Sequence, residues 1–175
     1  MTTEYILFEI YSQLQHQSNG FDAGITSSGT WGRGAAGILV VSPDLDEILL
    51  LKRSPYVLDP NMWGIPGGAR KETANGLEAS IITAVTESSE EMGKLPRGKI
   101  RKQPYVYSKP GTDFTYETFI LEIDLTDRKS FVPQLNWENN DYKWFKRDSL
   151  NSIRLHPGVK EVLDNYQFEP KDQSQ

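Results

Sequence analysis

At 175 residues the chain has room for one compact domain with a real core and little room for a second. Hydrophobic residues make up 37% and charged residues 25%, the balance of an ordinary folded domain, and a net charge of −5 argues against broad contact with the phosphates of duplex nucleic acid. No cysteine is present and the two histidines, His16 and His156, are far apart, which excludes disulfides, thiolate metal sites and a cysteine nucleophile and leaves oxygen as the donor for any metal.

The first apolar stretch, Tyr5 to Ile10, falls far short of the roughly 20 residues that span a bilayer. Glu4 precedes it and Glu9 lies within it, so it does not resemble a signal peptide, and the expectation is a cytoplasmic protein without a membrane partner. Ile6, Leu7, Ile10 and Leu14 fit a short amphipathic helix, and Ser18 to Thr30 is a Gly/Ser-rich loop. Residues 1–30 therefore read as an arm that packs on the domain or on a second subunit, which would make a homodimer. The domain itself is taken as 31–168 and the polar tail as 169–175.

Ala36 to Val41 and Glu47 to Lys52 read as two buried strands of a hairpin around Ser42-Pro43-Asp44. Pro55, Pro60, Pro66 and the pair Gly67-Gly68 then predict a shaped loop without regular structure. Ile81, Ile82, Val85 and Met92 form one stripe of a helix over roughly Leu77 to Met92. Gly93 and Pro96 stop it, and Asn75 and Glu78 stand at capping-box spacing at its start. Pro104 to Ser108, Phe114 to Ile123 and Tyr142 to Phe145 read as further strands, and His156-Pro157 opens a last helix through about Tyr166. The order β-β-loop-α-β-β-β-α predicts an α+β fold.

Glu87, Glu90 and Glu91 lie three and four residues apart on the predicted helix, so their carboxylates emerge close together. Like charges at this spacing weaken a helix unless a positive charge sits among them. Taken alone, the three residues fit either a solvated acidic surface or a site for a hard cation such as magnesium or manganese.

The flanks add to this. Gly68, Glu78 and the run Thr86-Glu87-Ser88-Ser89-Glu90-Glu91-Met92-Gly93 resemble the Nudix box, G-x5-E-x7-R-E-U-x-E-E-x-G-U with U aliphatic, and Trp63-Gly64-Ile65-Pro66-Gly67-Gly68 resembles the usual approach to it. The seven-residue gap from Glu78 to Thr86 is intact. Nine residues rather than five separate Gly68 from Glu78, a four-residue insertion within Lys71 to Gly76 that loop closure tolerates cheaply. Thr86 replaces the arginine that orients a glutamate in the family, and Ser88 replaces the aliphatic residue, so Arg70 or Arg33 is the candidate substitute cation.

The resemblance implies a Nudix α/β/α sandwich with a mixed central sheet. It implies a Mg2+-dependent hydrolase, Mn2+ being an alternative, that cuts a phosphoanhydride in a nucleoside diphosphate linked to another moiety. The rival function is a nucleotide-binding or regulatory module of the same fold that does not cut. Glu87, Glu90 and Glu91 would be metal ligands, with Gly68 supplying a backbone group. Glu90, Glu91 and Glu138 would be the catalytic carboxylates, with Asp141 and Glu117 as rivals of Glu138 for the base. Glu78 would be an accessory residue or simply a capping one. Arg33, Lys52 and Arg53 flank the hairpin as candidates for gripping phosphate or as solvated edge residues. Trp31, Trp63, Tyr105, Tyr107, Phe114 and Tyr116 offer candidate stacking surfaces or core. His156 reads mainly as a cap.

Overall fold

The computed structural model describes residues 5–7, 34–70 and 76–165. Their elements run β1 (Tyr5–Leu7), β2 (Gly34–Ser42), β3 (Glu47–Arg53), β4 (Trp63–Gly64), β5 (Gly67–Ala69) and α1 (Leu77–Met92). Then follow β6 (Lys99–Arg101), β7 (Tyr105–Ser108), β8 (Thr115–Glu122), α2 (Leu125–Ser130), β9 (Asn139–Lys146), a 3-10 turn (Arg147–Ser152) and α3 (Pro157–Asn165). The strands form one mixed sheet along the path β1-β6-β8-β2-β3-β4, with β5 on β2, β7 on β8 and β9 on β3. β2 and β8 run parallel, in register from Gly34 opposite Thr115 to Val41 opposite Glu122, and the other pairings are antiparallel.

The uninterrupted apolar run of β2 follows from its position, because this central strand is covered on both faces. Alternate residues divide between two cores. Ile38, Val40, Leu49, Leu51, Phe119 and Leu121 meet Ile81, Ala84, Val85 and Met92 of α1 on one face. Leu39, Val41, Ile48, Leu50, Ile120 and Phe145 meet Val159 and Val162 of α3 on the other. The architecture is the expected α/β/α sandwich.

Several local expectations change. Tyr5–Leu7 is a strand paired with β6, where an amphipathic helix was expected; its backbone completes a sheet edge, and pairing overrides the helical spacing. Ile10 and Leu14 lie outside the described residues. The proline-rich segment is not wholly irregular, because β4 pairs with β3 and β5 pairs with β2 on either side of Pro66. The missing N–H of Pro66 costs nothing there, and its carbonyl accepts the Ile38 N–H at 3.1 Å. α1 begins at Leu77 with Gly76 as its cap and no side-chain bond, so Glu78 falls one position short of a capping box, and Asn75 lies outside the described residues. Gly93 ends the helix as expected, at φ 77° with its N–H bonded to the Ser89 carbonyl. The short strands β4, β5 and β6 and the helix α2, capped by Asp124, had no sequence signal read for them.

Candidate active site

β5 runs directly beneath α1, and this places two glycines against two glutamates. The Gly67 N–H donates to Glu91 Oε1 at 2.9 Å. A Cβ on Gly68 would collide with the Glu87 carboxyl, so that carboxyl lies flat on the glycine backbone. Glu87 and Glu91 are thus one helical turn apart on the same flank, facing the same short strand. Glu90 is exposed at the solvent edge of the helix, and Glu78 is exposed in its first turn.

The second grip on Glu91 comes from β9. Asn139 donates its amide to Glu91 Oε2 at 2.7 Å, and the Asn136 N–H donates to the Glu91 carbonyl at 3.1 Å. The turn Asn136–Asn139 therefore clasps this residue by backbone and side chain together. Glu138, at the corner of that turn, is half-buried, accepts the Asn136 amide at 3.3 Å, and offers its own carbonyl to the Ser54 N–H at 2.8 Å.

Glu91 is only 7% exposed, and burial raises its pKa to about 7 against the bonds from Gly67 and Asn139, with the charges of Glu138 and Glu87 adding to the rise. Its two donors are neutral, so burial wins. A carboxyl held near pH 7 by burial beside two further carboxylates is a group that a cation would stabilise in its charged form. Among the described residues no three acidic or histidine side chains close on a single point. The donor set is all oxygen and in excess of negative charge, which fits a hard divalent cation in kind and in sign.

The departures from the box pattern have local uses. Ser88, in the aliphatic position, is buried and donates to the Pro66 carbonyl at 3.4 Å, tying helix to loop. Arg70 does not substitute for the missing arginine, because its guanidinium meets Ser80 and Thr115, each at 3.1 Å, and lies 3.8 Å from Glu117. Those partners belong to the opening turns of α1 and to β8. Glu117 is thereby drawn to Arg70, and Asp141 is exposed on β9 opposite Lys52, so neither rival of Glu138 touches Glu91.

Trp63, partly buried, packs against the core that faces α3. Its ring stands edge-on to Phe145, 4.9 Å between centroids, on the α3 face of the sheet and away from the carboxylates. Tyr105 likewise turns to α3 and donates to Glu161 at 3.1 Å. The Tyr116 hydroxyl packs under Gly37 and Gly67, and burial holds its pKa above the ordinary value. Arg53 stands opposite Asn139 in the β3–β9 pairing, and its Nε is bonded to the Leu58 carbonyl at 2.8 Å. Arg33 and Trp31 lie outside the described residues. His156 accepts the Gly158 N–H on Nδ1 at 3.3 Å, the capping role expected, and its Nε2 lies 3.3 Å from Asp59. A cleft of about 380 Å3 lies past the C-terminal end of α1, between Lys94–Arg97 and α2, and takes no part in the acidic cluster.

Sequence reasoning missed Asn139 and the Gly67 N–H, the two groups that hold Glu91. The only hint was the polar run Asn136–Asp141, which carries no spacing rule.

No family model matches the chain. A protein of Mycobacterium tuberculosis named "Putative 8-oxo-dGTP diphosphatase 3" is 32% identical over 152 residues, which is 83% of this chain and 67% of that protein. The crystal structure of a Nudix hydrolase from M. smegmatis, RenU, superposes with a TM-score of 0.57 at 27% identity, covering 77% of this chain and 84% of that one. A MutT Nudix hydrolase from Burkholderia pseudomallei gives a TM-score of 0.56 at 20% identity over 77% of this chain and 98% of its own, a likeness of fold. With the glutamate helix, the glycine strand beneath it and these relatives in agreement, the chain belongs to the Nudix hydrolase superfamily and is a pyrophosphohydrolase.

Proposed function

We propose that the protein hydrolyses a phosphoanhydride bond in a nucleoside diphosphate linked to another moiety, with Mg2+, or Mn2+ in its place, held by Glu87, Glu90 and Glu91. The observation that carries this reading is Glu91 itself, a buried carboxyl gripped by Gly67 and Asn139 and set beside Glu87 and Glu138. A bound cation would neutralise charge on the phosphate oxygens, the main requirement of phosphoanhydride cleavage. The chain supplies the rest. Glu87 and Glu91 present their carboxylates from one flank of a rigid helix, and the absent side chain of Gly68 leaves room for the Glu87 carboxyl against the strand. Glu138, half-exposed on a turn bonded to Glu91, takes the proton of the attacking water at its carboxylate. Arg53, opposite Asn139 in the β3–β9 pairing, adds positive charge for the substrate's phosphates.

The test is metal-dependent release of phosphate, pyrophosphate or nucleoside monophosphate from a panel of nucleoside triphosphates, oxidised triphosphates, nucleotide sugars and dinucleotides. Wild type should turn over at least one class only with Mg2+ or Mn2+ present. Glu91→Gln should lower kcat by at least about 100-fold, in the range seen when one electrostatic group of a site is removed. Equal turnover by the two proteins would remove the assignment.

A further inference from the structure

Ser88 is fully buried on α1, next to Glu87 and three residues before Glu91. A serine inside a helix ordinarily turns its hydroxyl back to the carbonyl four residues earlier. The Ser88 hydroxyl instead reaches across to the segment before β5 and donates to the Pro66 carbonyl at 3.4 Å. The same carbonyl accepts the Ile38 N–H of β2 at 3.1 Å.

That carbonyl is one end of a peptide whose other end lies in the site. The Pro66 carbonyl and the Gly67 N–H belong to a single planar trans unit and point in opposite directions. Ser88 and Ile38 bond the carbonyl end, and the N–H end donates to Glu91 Oε1 at 2.9 Å. Ser88 and Glu91 stand three residues apart on one face of α1, about 4.5 Å along its axis, so the helix grips this one peptide at both ends. Because the unit rotates as a whole, turning the carbonyl away from Ser88 turns the N–H away from Glu91. Donors at the carbonyl also polarise the unit and strengthen its N–H as a donor. Asn139 holds the other oxygen of Glu91, Oε2, at 2.7 Å. With a donor on each oxygen the plane of the carboxylate is set; with one, the broad terminal torsion of a glutamate lets it turn.

We propose that Ser88 is a positioning residue of the site: its hydroxyl fixes the Pro66–Gly67 peptide, and the peptide fixes the Glu91 carboxylate. This rests on the reading of Glu91 as a metal ligand. An aliphatic side chain at position 88 would fill the same space but leave the carbonyl held by Ile38 alone. Removing the hydroxyl leaves no buried group unpaired, since the Pro66 carbonyl keeps the Ile38 N–H, and alanine is the better helix former. Ser88→Ala should therefore keep the urea midpoint of wild type while loosening the site.

The experiment uses the full chain, first without metal and then with Mn2+ alone. In proton–nitrogen correlation spectra the Gly67 amide proton, bonded to a carboxylate, should move upfield in S88A and exchange with solvent about tenfold faster, as one weakened hydrogen bond implies. Mn2+, followed by the paramagnetic resonance of the free ion, should bind S88A about 10- to 100-fold more weakly than wild type, the range for losing a group that stands behind a metal ligand. S88C, matched in size and a weak donor, should fall between the two in both measurements. A merely structural serine predicts the reverse, a lower urea midpoint with the Gly67 signal and the Mn2+ Kd unchanged, and that result overturns the proposal. A shifted Gly67 signal with an unchanged Kd overturns it too, as does a weaker Kd with an unmoved signal, because the effect would not run through the peptide. Wild type that binds no Mn2+ at millimolar concentration would remove the metal reading of Glu91 and the role of Ser88 together. Equal Mn2+ binding by wild type and S88A would remove the role of Ser88 alone.

Discussion

Gly67 and Gly68 are adjacent in sequence but meet different things. A Cβ at Gly67 would strike backbone, the Ala36 carbonyl at 2.6 Å and the Gly37 Cα at 2.7 Å, which cannot step aside. At Gly68 the nearest atoms it would strike are the carboxyl and Cγ of Glu87, which belong to a side chain rather than to backbone. Gly67→Ala should therefore lower stability by about 1–3 kcal/mol, read as a shift in urea midpoint, as overpacking does. Gly68→Ala should leave the midpoint nearly unchanged yet reduce turnover by up to about 100-fold, because a displacement of about 1 Å in a reacting group is enough for that. Loss of stability in both, or loss of turnover in neither, would contradict the contact described. From the sequence, the i, i+4 spacing already put Glu87 and Glu91 on one flank. That Glu91 is the buried one and Glu90 the exposed one was not legible, since both depend on where β5 lies.

The elements around the site are fixed by different kinds of signal. α1 was legible to within a residue because its apolar stripe and its glycine stop are local, and it lost only the expected cap, whose place is taken by Gly76. β4 and β5 were not legible. Two and three residues among prolines and glycines carry no period, and they become strands only because β3 and β2 offer open edges. The loop between β3 and β4 has its own tie in His156, whose pKa is lowered by burial and by the Arg53 charge, against the pull of Asp59. The sign follows from the unfolded value of 6.5. A histidine depressed in the fold contributes stability that is fully present above pH 6.5 and is lost as pH falls toward its folded pKa, because the unfolded chain binds the proton more readily. Thermal midpoints of wild type should thus fall from pH 7 to pH 5 more steeply than those of His156→Gln. Parallel curves would show that this histidine does not titrate with unfolding.

At the scale of the molecule, the parallel pair β2–β8 is the spine that both cores share. Phe119, fully buried opposite Ile38, fills the core beneath α1. Phe119→Ala should cost about 3–5 kcal/mol and lower the urea midpoint in one cooperative transition. A change below 1 kcal/mol would mean that this core is not packed as described. The sequence alone determined the strands that bury both faces, the helix between them, and a row of glutamates behind a pair of glycines, because each is written in a local period or in a residue with special backbone freedom. Tertiary structure decided which carboxylate is buried and what holds it. Asn139 is 48 residues from Glu91 and reaches it only once β9 has paired with β3, and the Gly67 N–H becomes a donor only once β5 has slid under α1. Contacts of that separation have no period to read, so the grip on the site belongs to the fold.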